Sequence, residues 1–549
     1  MTSAEMTGVE MTGAEMTGVE MDGFEMTGTG TGVIGRRPWW QDAVVYQIYP
    51  RSFADANGDG VGDLPGITER LDHIQQLGAD AVWLSPIFVS PMRDFGYDVA
   101  DYCAVDPVFG TEQDLDELIE GLHRRGMRLL LDWVPNHTSD QHPWFVESRS
   151  SRDNPKRDWY IWRDAQPDGS LPNNWNAAFK KVPAWTWDPV TEQYYLHLFL
   201  AEQPDLNWAN PEVEAAMHAT LRHWLDRGVD GFRADVVHLI GKGTELADFP
   251  EHRPNVPVIM VDQPFTHELL RRIRRLMDTY AHQPMMVGEV YLLKPGQTVS
   301  YLGEGDELHL TFDFRSVHSH WEAAAIRRTI ATLQTEFSPP LWPTWVLSNH
   351  DQPRQRTRVG SDAAARAAAV LSLTMRGTPF LYAGEELGLG DAIVPEDRIV
   401  DPDGRDGCRA PVPWEARAPH GWGENPWLPF PPDPGALCAE AQHEDPASML
   451  HLYRELTLLR RTEPALRTGD LVLADPAGDE HSDLVIFRRE DDDTALTTIV
   501  NFSDQPACVQ LRGDLVVSSV HGRLSAARSA GDRGFDGKLA GNEAVVLRT

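Results

Sequence analysis

Arg233 and Asp235 stand two residues apart in GFRADVVHLI (231–240), a stretch whose other residues read as a buried strand. Alternate residues of a strand share a face, so this guanidinium and this carboxylate lie together. Such a pair can be a structural ion pair at a strand end. It can equally be chemical, because a neighbouring guanidinium keeps a carboxylate ionised and aims it. Two more apolar runs end in acids: MMVGEV (285–290) carries Glu289, and TWVLSNHD (344–351) carries His350 and Asp351. A further run, RLLLDWVPNH (128–137), carries Asp132 and His137. One acid in such a place is commonly a cap. Asp235, Glu289 and Asp351 in corresponding positions on three strands, attended by Arg233, His137 and His350, are hard to assign to stability alone.

The elements that must hold these acids follow from the pattern around them. From residue 37 onward, short apolar runs alternate with helical periodicity. In TEQDLDELIEGLHRRGM (111–127), Thr111 can cap, Leu115, Leu118, Ile119 and Leu122 fall on one face, and Gly126 can end the helix. Strands are expected at AVVYQIY (43–49), AVWLS (81–85), RLLLDWVP (128–135), GFRAD (231–235), MMVGEV (285–290), HLTFDF (309–314), TWVLSN (344–349) and TPFLY (378–382), with helices such as EVEAAMHATLRHWLDRG (212–228) between them. Eight strands alternating with helices imply an α/β fold of the (β/α)8 TIM-barrel type, in which the carboxyl ends of the strands converge on one face. The barrel is assigned to 37–137 and 209–465, with a long insertion at 383–435. Residues 138–208, rich in Trp, Pro and Asn, form an inserted subdomain after strand 3, and 466–549, with short alternating runs, a C-terminal antiparallel β-sandwich domain. Residues 1–36 repeat a five-residue unit around MTGVE and read as a disordered tail.

Composition narrows the function classes. The chain has 549 residues and a formal net charge of -34, which repels phosphate backbones and anionic lipid. Nucleic acid and membrane partners are therefore not expected, and no apolar run approaches the ~20 residues of a membrane-spanning helix. Cys103, Cys408, Cys438 and Cys508 show no paired spacing, and no secretory leader is evident, so a cytoplasmic protein is expected.

The stretches DWVPNH (132–137), QPDLNW (203–208), GFRADVV (231–237), GEV (288–290) and SNHDQPR (348–354) occur in an order that resembles the α-amylase family of glycoside hydrolases, over a span from Trp39 to the C-terminus. The resemblance points to an exo-acting α-glucosidase of the oligo-1,6-glucosidase type. It implies that Asp235 is the nucleophile, Glu289 the general acid and base, and Asp351 the acid that steadies the cationic ring. Arg233 would hold Asp235 ionised, with His137 and His350 binding sugar hydroxyls and Asp132 supporting the floor. Tyr97 would stack on a sugar face. Asp94 and Arg409 match the pair that clasps the outermost glucose, Phe179, Phe199 and Gln203 the entrance, and Val236 the position of the leaving sugar, where valine accompanies α-1,6 linkages.

In ADANGDGVGDL (54–64), Asp55, Asn57, Asp59 and Asp63 with the Val61 carbonyl place oxygens at alternate positions. An EF-hand would need a glutamate where Gly66 stands. The family often binds Ca²⁺ at this loop, so a structural Ca²⁺ or Mg²⁺ is expected, and no organic cofactor. The substrate class implied is a small-molecule α-glucoside, hydrolysed with retention and with some transglucosylation. Two other readings share the sequence features: a sugar isomerase or transglucosylase of the trehalose synthase or isomaltulose synthase type, and a catalytically inactive relative acting as a binding subunit.

Overall fold

Period-two alternation in the central strands sorts their side chains into two faces. The computed structural model describes residues 37–179, 182–243, 245–248, 262–474, 482–524 and 534–549, so the repeat tract lies outside the described residues. Eight parallel strands form one sheet: β1 (Val45–Ile48), β2 (Ala81–Leu84), β3 (Arg128–Trp133), β4 (Gly231–Ala234), β5 (Met285–Gly288), β6 (Leu310–Thr311), β7 (Thr344–Val346) and β8 (Thr378–Tyr382). All eight lie inside the expected runs. Their order is β6-β5-β4-β3-β2-β1-β8-β7. Between the two end strands, the Thr344 hydroxyl donates to the Thr311 carbonyl at 2.8 Å, so a side chain bridges the seam.

Val45, Ala81, Trp83, Leu130, Met285, Val287, Leu310, Val346 and Phe380 cluster in the interior. One pleat further along the same strands come Gln47, Asp132 and Arg233, so an apolar plug carries a polar upper layer. Register completes the arrangement, because Arg233 lies beside Asp132 on β3 and Val287 on β5. Close packing at the foot of β4 requires glycine: a Cβ on Gly231 would lie 2.0 Å from the Met285 carbonyl oxygen.

Helices α1 (Leu71–Leu77), α2 (Glu112–Arg124), α3 (Pro211–Arg227), α4 (Pro264–Met277), α5 (Ala323–Glu336), α6 (Asp362–Thr374) and α7 (Met449–Thr462) follow individual strands. In α2 the capping box joins Thr111 to Asp114, and Leu115, Leu118, Ile119 and Leu122 are all buried. After β3 the inserted segment carries a three-stranded antiparallel sheet, Trp162–Arg163, Gln193–Leu196 and Trp185–Asp188.

The C-terminal strands β9 (Asp470–Leu473), β10 (Leu484–Glu490), β11 (Ala495–Asn501), β12 (Asp514–Ser518) and β13 (Ala544–Arg548) form an antiparallel sheet of order β9-β10-β11-β13-β12. Its two faces have different partners. Val485, Phe487, Leu496, Val500 and Val546 join the core around the barrel helices. Leu484, Ile499, Val545 and Leu547 instead cluster with Val509, Phe535 and Leu539, the last from a two-stranded sheet of Ala507–Cys508 and Lys538–Leu539. The Thr498 hydroxyl reaches Thr374 of α6 at 3.1 Å, so this domain is fused to the barrel rather than hung from it.

Candidate active site

Three strand ends bring their acids to one guanidinium. Arg233 Nη1 donates to Asp235 Oδ1 at 2.7 Å and to Asp132 Oδ1 at 2.9 Å, while Nη2 donates to Glu289 Oε2 at 2.6 Å. The fork geometry matters, since a planar guanidinium has two terminal nitrogens and fixes two carboxylates at once. Glu289 Oε2 also accepts the Val236 amide at 3.1 Å. Among the described residues, Asp235 Oδ2 and Glu289 Oε1 have no hydrogen-bond partner in the protein, and both side chains line a cavity of about 640 Å³. Each acid thus keeps one oxygen for chemistry.

Three carboxylates around one cation cannot all ionise freely in a buried site. Burial raises Asp235 above the ordinary carboxylate range against the pull of Arg233, and pushes Asp132 up to about 7. Asp351 differs. Burial would raise it too, but His350 and the guanidiniums of Arg405 and Arg409 outweigh burial and hold it well below the usual range. His350, itself pushed down to about 3 by burial, is neutral near pH 7, so the two arginines carry that role there.

Val236 occupies the left-handed region at φ 36°, ψ 39°. For a β-branched residue this conformation costs about 1–3 kcal/mol. The turn it makes aims its amide at Glu289 and its side chain into the cavity. Tyr97, His137, Phe179 and Phe199 line the same cavity. The Tyr97 ring, however, is stacked on His350 with centroids 5.5 Å apart and an interplanar angle of 5°, so one of its faces is already covered.

His350 does not line the cavity. It is fully buried, with Nδ1 2.7 Å from Gln47 Nε2 and Nε2 2.6 Å from the Tyr97 hydroxyl. With the Gln47 amide donating, Nε2–H donates to Tyr97, whose hydroxyl donates to Asp132 at 3.1 Å. The histidine expected to bind sugar hydroxyls therefore orients the tyrosine from behind. Gln203 is also fully buried, donating to Asp94 Oδ2 at 3.1 Å, and supports the pocket rather than lining its entrance. His137, pushed down to about 4 by burial, is likewise neutral near pH 7.

The expected Asp94–Arg409 clasp is corrected. Asp94 Oδ1 accepts Arg405 Nη2 at 2.7 Å, and Arg405 is the arginine that lines the cavity. Arg409, four residues on, is fully buried, where it donates to the His350 carbonyl at 2.8 Å and to Asp351 Oδ1 at 3.0 Å. Arg405 Nη1 reaches the same Asp351 oxygen at 3.0 Å. The Asp94–Arg405 ion pair thus forms part of the cavity wall, and its arginine comes from the loop after β8. Arg405, Asp401 and Gln47 were not singled out from the sequence; for the first two the signal was the density of Asp and Arg in DPDGRDGCR (401–409).

In the 54–64 loop, the residues expected to hold a cation also accept hydrogen bonds from the loop's own amides. Asp55 accepts the amides of Gly58, Gly60 and Gly423 at 2.7, 2.9 and 3.0 Å, Asn57 accepts that of Asp59 and Asp59 that of Val61, both at 2.8 Å. Asp63 caps the helix Leu64–Glu69 through the Gly66 amide at 2.7 Å. These side-chain oxygens thus brace the loop's own turns.

Comparison with known proteins agrees with this geometry. Residues 47–469 match the family described as alpha amylase, catalytic domain. A probable alpha-glucosidase of Rhizobium meliloti (strain 1021) is 42% identical over 514 residues, 86% of this chain and 91% of the relative. An oligo-1,6-glucosidase of Parageobacillus thermoglucosidasius is 37% identical over 534 residues, 87% of this chain and 93% of the relative. Among solved structures, the alpha-glucosyl transfer enzyme XgtA superposes with a TM-score of 0.84 at 39% identity, covering 93% of this chain and 99% of that one. A trehalulose synthase, MutB, gives 0.85 at 34% identity, covering 93% and 100%. With the acids at the strand ends, the helix-covered parallel sheet and a profile spanning most of the chain in agreement, the protein belongs to the α-amylase family.

Proposed function

We propose that this chain is a retaining, exo-acting α-glucosidase that removes terminal glucose from disaccharides and short oligosaccharides. The observation that carries the reading is the single guanidinium joining Asp235 to Glu289 on the wall of a cavity that Asp94 and Arg405 also line as an ion pair. A fixed pair of carboxylates held this close suits double displacement, for which the two acids stand roughly 5–5.5 Å apart. Asp235 Oδ2 attacks the anomeric carbon while Glu289 gives its proton to the departing oxygen. Water then splits the glycosyl ester and returns a proton to Glu289. Asp351, kept ionised by its arginines, faces the positive charge that develops on the ring. In this reading the Asp94–Arg405 pair restricts attack to a terminal sugar.

The second reading, isomerisation or transfer, uses the same intermediate and is supported by the likeness to a trehalulose synthase. It requires the leaving-group side to retain a sugar and exclude water. Here that side carries Tyr291 and Leu293, which are 42% and 46% exposed, an open mouth that favours hydrolysis with transglucosylation as a side reaction. Among the described residues no helix is long and apolar enough to cross a membrane, and all four cysteines are free thiols, which supports a cytoplasmic setting. Product analysis from maltose, isomaltose and sucrose tests the function: released glucose carries it, and isomerised disaccharide as the main product sinks it. An Asp235→Asn variant with undiminished turnover would remove the nucleophile from this account.

A further inference from the structure

The loop after β8 presents two arginines to Asp351, and both are held from behind by one carboxylate. Asp401 Oδ1 accepts Arg405 Nη2 at 2.7 Å and Arg409 Nη1 at 3.1 Å. Its Oδ2 accepts the backbone amides of Asp403 at 3.0 Å and Arg405 at 2.8 Å. The side chain is fully buried and is not among the residues lining the cavity. Arg405 Nε also donates to both oxygens, at 3.1 and 3.0 Å. The carboxylate therefore has two jobs. Oδ2 closes the turn that carries Arg405 and shares in gripping its guanidinium. Oδ1 holds both guanidiniums.

Resting on the α-glucosidase reading, we propose that Asp401 is a positioning residue for the Asp94–Arg405 wall of the pocket, orienting Arg405 and Arg409 and sharing their charge so that Asp94 and Asp351 stay free to accept hydrogen bonds from the sugar. Three carboxylates, Asp94, Asp351 and Asp401, stand against two guanidiniums in this network. That balance leaves negative charge on the side facing the substrate. Without the charge on Asp401, the remaining ion-pair partners of the two cations among the described residues are Asp94 and Asp351, the same acids that a sugar must engage. Arg405 is already bound to both, and would close more tightly across them.

The two jobs can be told apart with an isostere. Asparagine at 401 keeps a carbonyl oxygen for the amides of Asp403 and Arg405 but carries no charge, whereas glutamate keeps the charge with a longer reach. The experiment compares Asp401→Asn and Asp401→Glu with the parent by calorimetric binding of D-glucose, steady-state kinetics on maltose, and melting temperature. Asp401→Asn is expected to weaken glucose binding and raise KM by about tenfold, with kcat falling by less than about threefold, and Asp401→Glu to recover part of the affinity. Parental affinity in Asp401→Asn overturns the proposal. So does equal weakening in both variants, or a melting temperature more than ~10 °C lower in Asp401→Asn with its own glucose binding intact, which would make the carboxylate a folding element only. Failure of the parent to hydrolyse maltose counts against the function, while the ratio of glucose affinities judges Asp401 separately.

Discussion

Replacing Arg233 with lysine preserves one positive charge and removes the fork. A lysine ammonium is a compact point charge and cannot bridge acids on both sides as the guanidinium bridges Asp235, Asp132 and Glu289 at 2.7, 2.9 and 2.6 Å. Two of the three charge-assisted hydrogen bonds are lost, each contributing about 1.5–3 kcal/mol, or about 3–6 kcal/mol together. The site is 2% exposed on the arginine side chain, so water replaces them poorly. If that energy is expressed in the transition state, kcat/KM falls by about 10²- to 10⁴-fold at 1.36 kcal/mol per decade. The assay pairs maltose with p-nitrophenyl α-glucoside. Nitrophenolate leaves with little proton assistance, whereas a sugar needs it, so loss of the Glu289 tether should penalise maltose about tenfold more. A folded Arg233→Lys enzyme within about fivefold of the parent on both substrates would refute the view that one guanidinium sets both acids.

Arg405→Ala should raise KM for maltose by at least about tenfold, because it opens the ion pair with Asp94, and unchanged KM would return the clasp to another residue. Val236→Thr retains branching and backbone geometry while adding a hydroxyl on the leaving-group side; the expected outcome is a lower ratio of isomaltose to maltose turnover, and an unaltered ratio removes Val236 from linkage choice. Asp132 has a folded pKa of about 7, above its unfolded value near ~3.9, so its stabilising contribution is complete below about pH 4 and lost as pH rises through about 7. Asp132→Asn should accordingly gain stability relative to the parent as melts move from about pH 4 to pH 7, then level off, and a flat difference would contradict the sign. Finally, if Asp55, Asn57, Asp59, the Val61 carbonyl and Asp63 hold a structural Ca²⁺, EDTA should lower the melting temperature and added CaCl2 restore it; a melting temperature unmoved by either would leave these side chains to the loop's turns alone.

The eight strands and the three acids were legible because two simple periodicities specify them. An apolar strand with a polar residue at its last inward position makes a plug with a reactive upper layer, and Leu130 and Asp132, or Met285, Val287 and Glu289, carry that message in the chain itself. Motifs do not say which side of a wall a residue stands on. His350 and Gln203 belong to recognisable stretches, yet both are buried behind the residues that line the cavity. Asp-x-Asn-x-Asp spacing is ambiguous for a related reason: side chains that can ligate a cation can also cap the amides two residues ahead, and in 54–64 they do so.

The arginines of the 401–409 loop show where reading from sequence runs out. Arg405 and Arg409 are four residues apart in a segment with no repeating pattern, and both meet the same oxygen of Asp351. Their difference lies in what else each can reach: Arg409 takes the His350 carbonyl and becomes buried, while Arg405 turns toward Asp94 and faces the cavity. That choice depends on where strands β1, β2 and β8 place their loops, a long-range property absent from any local window. The strand ends therefore supply the reacting acids, and the loops that follow them determine how many sugars can fit beyond the scissile bond. The acids follow the barrel's register, whereas the ion pair on the cavity wall joins Asp94 and Arg405, residues 311 positions apart in the chain.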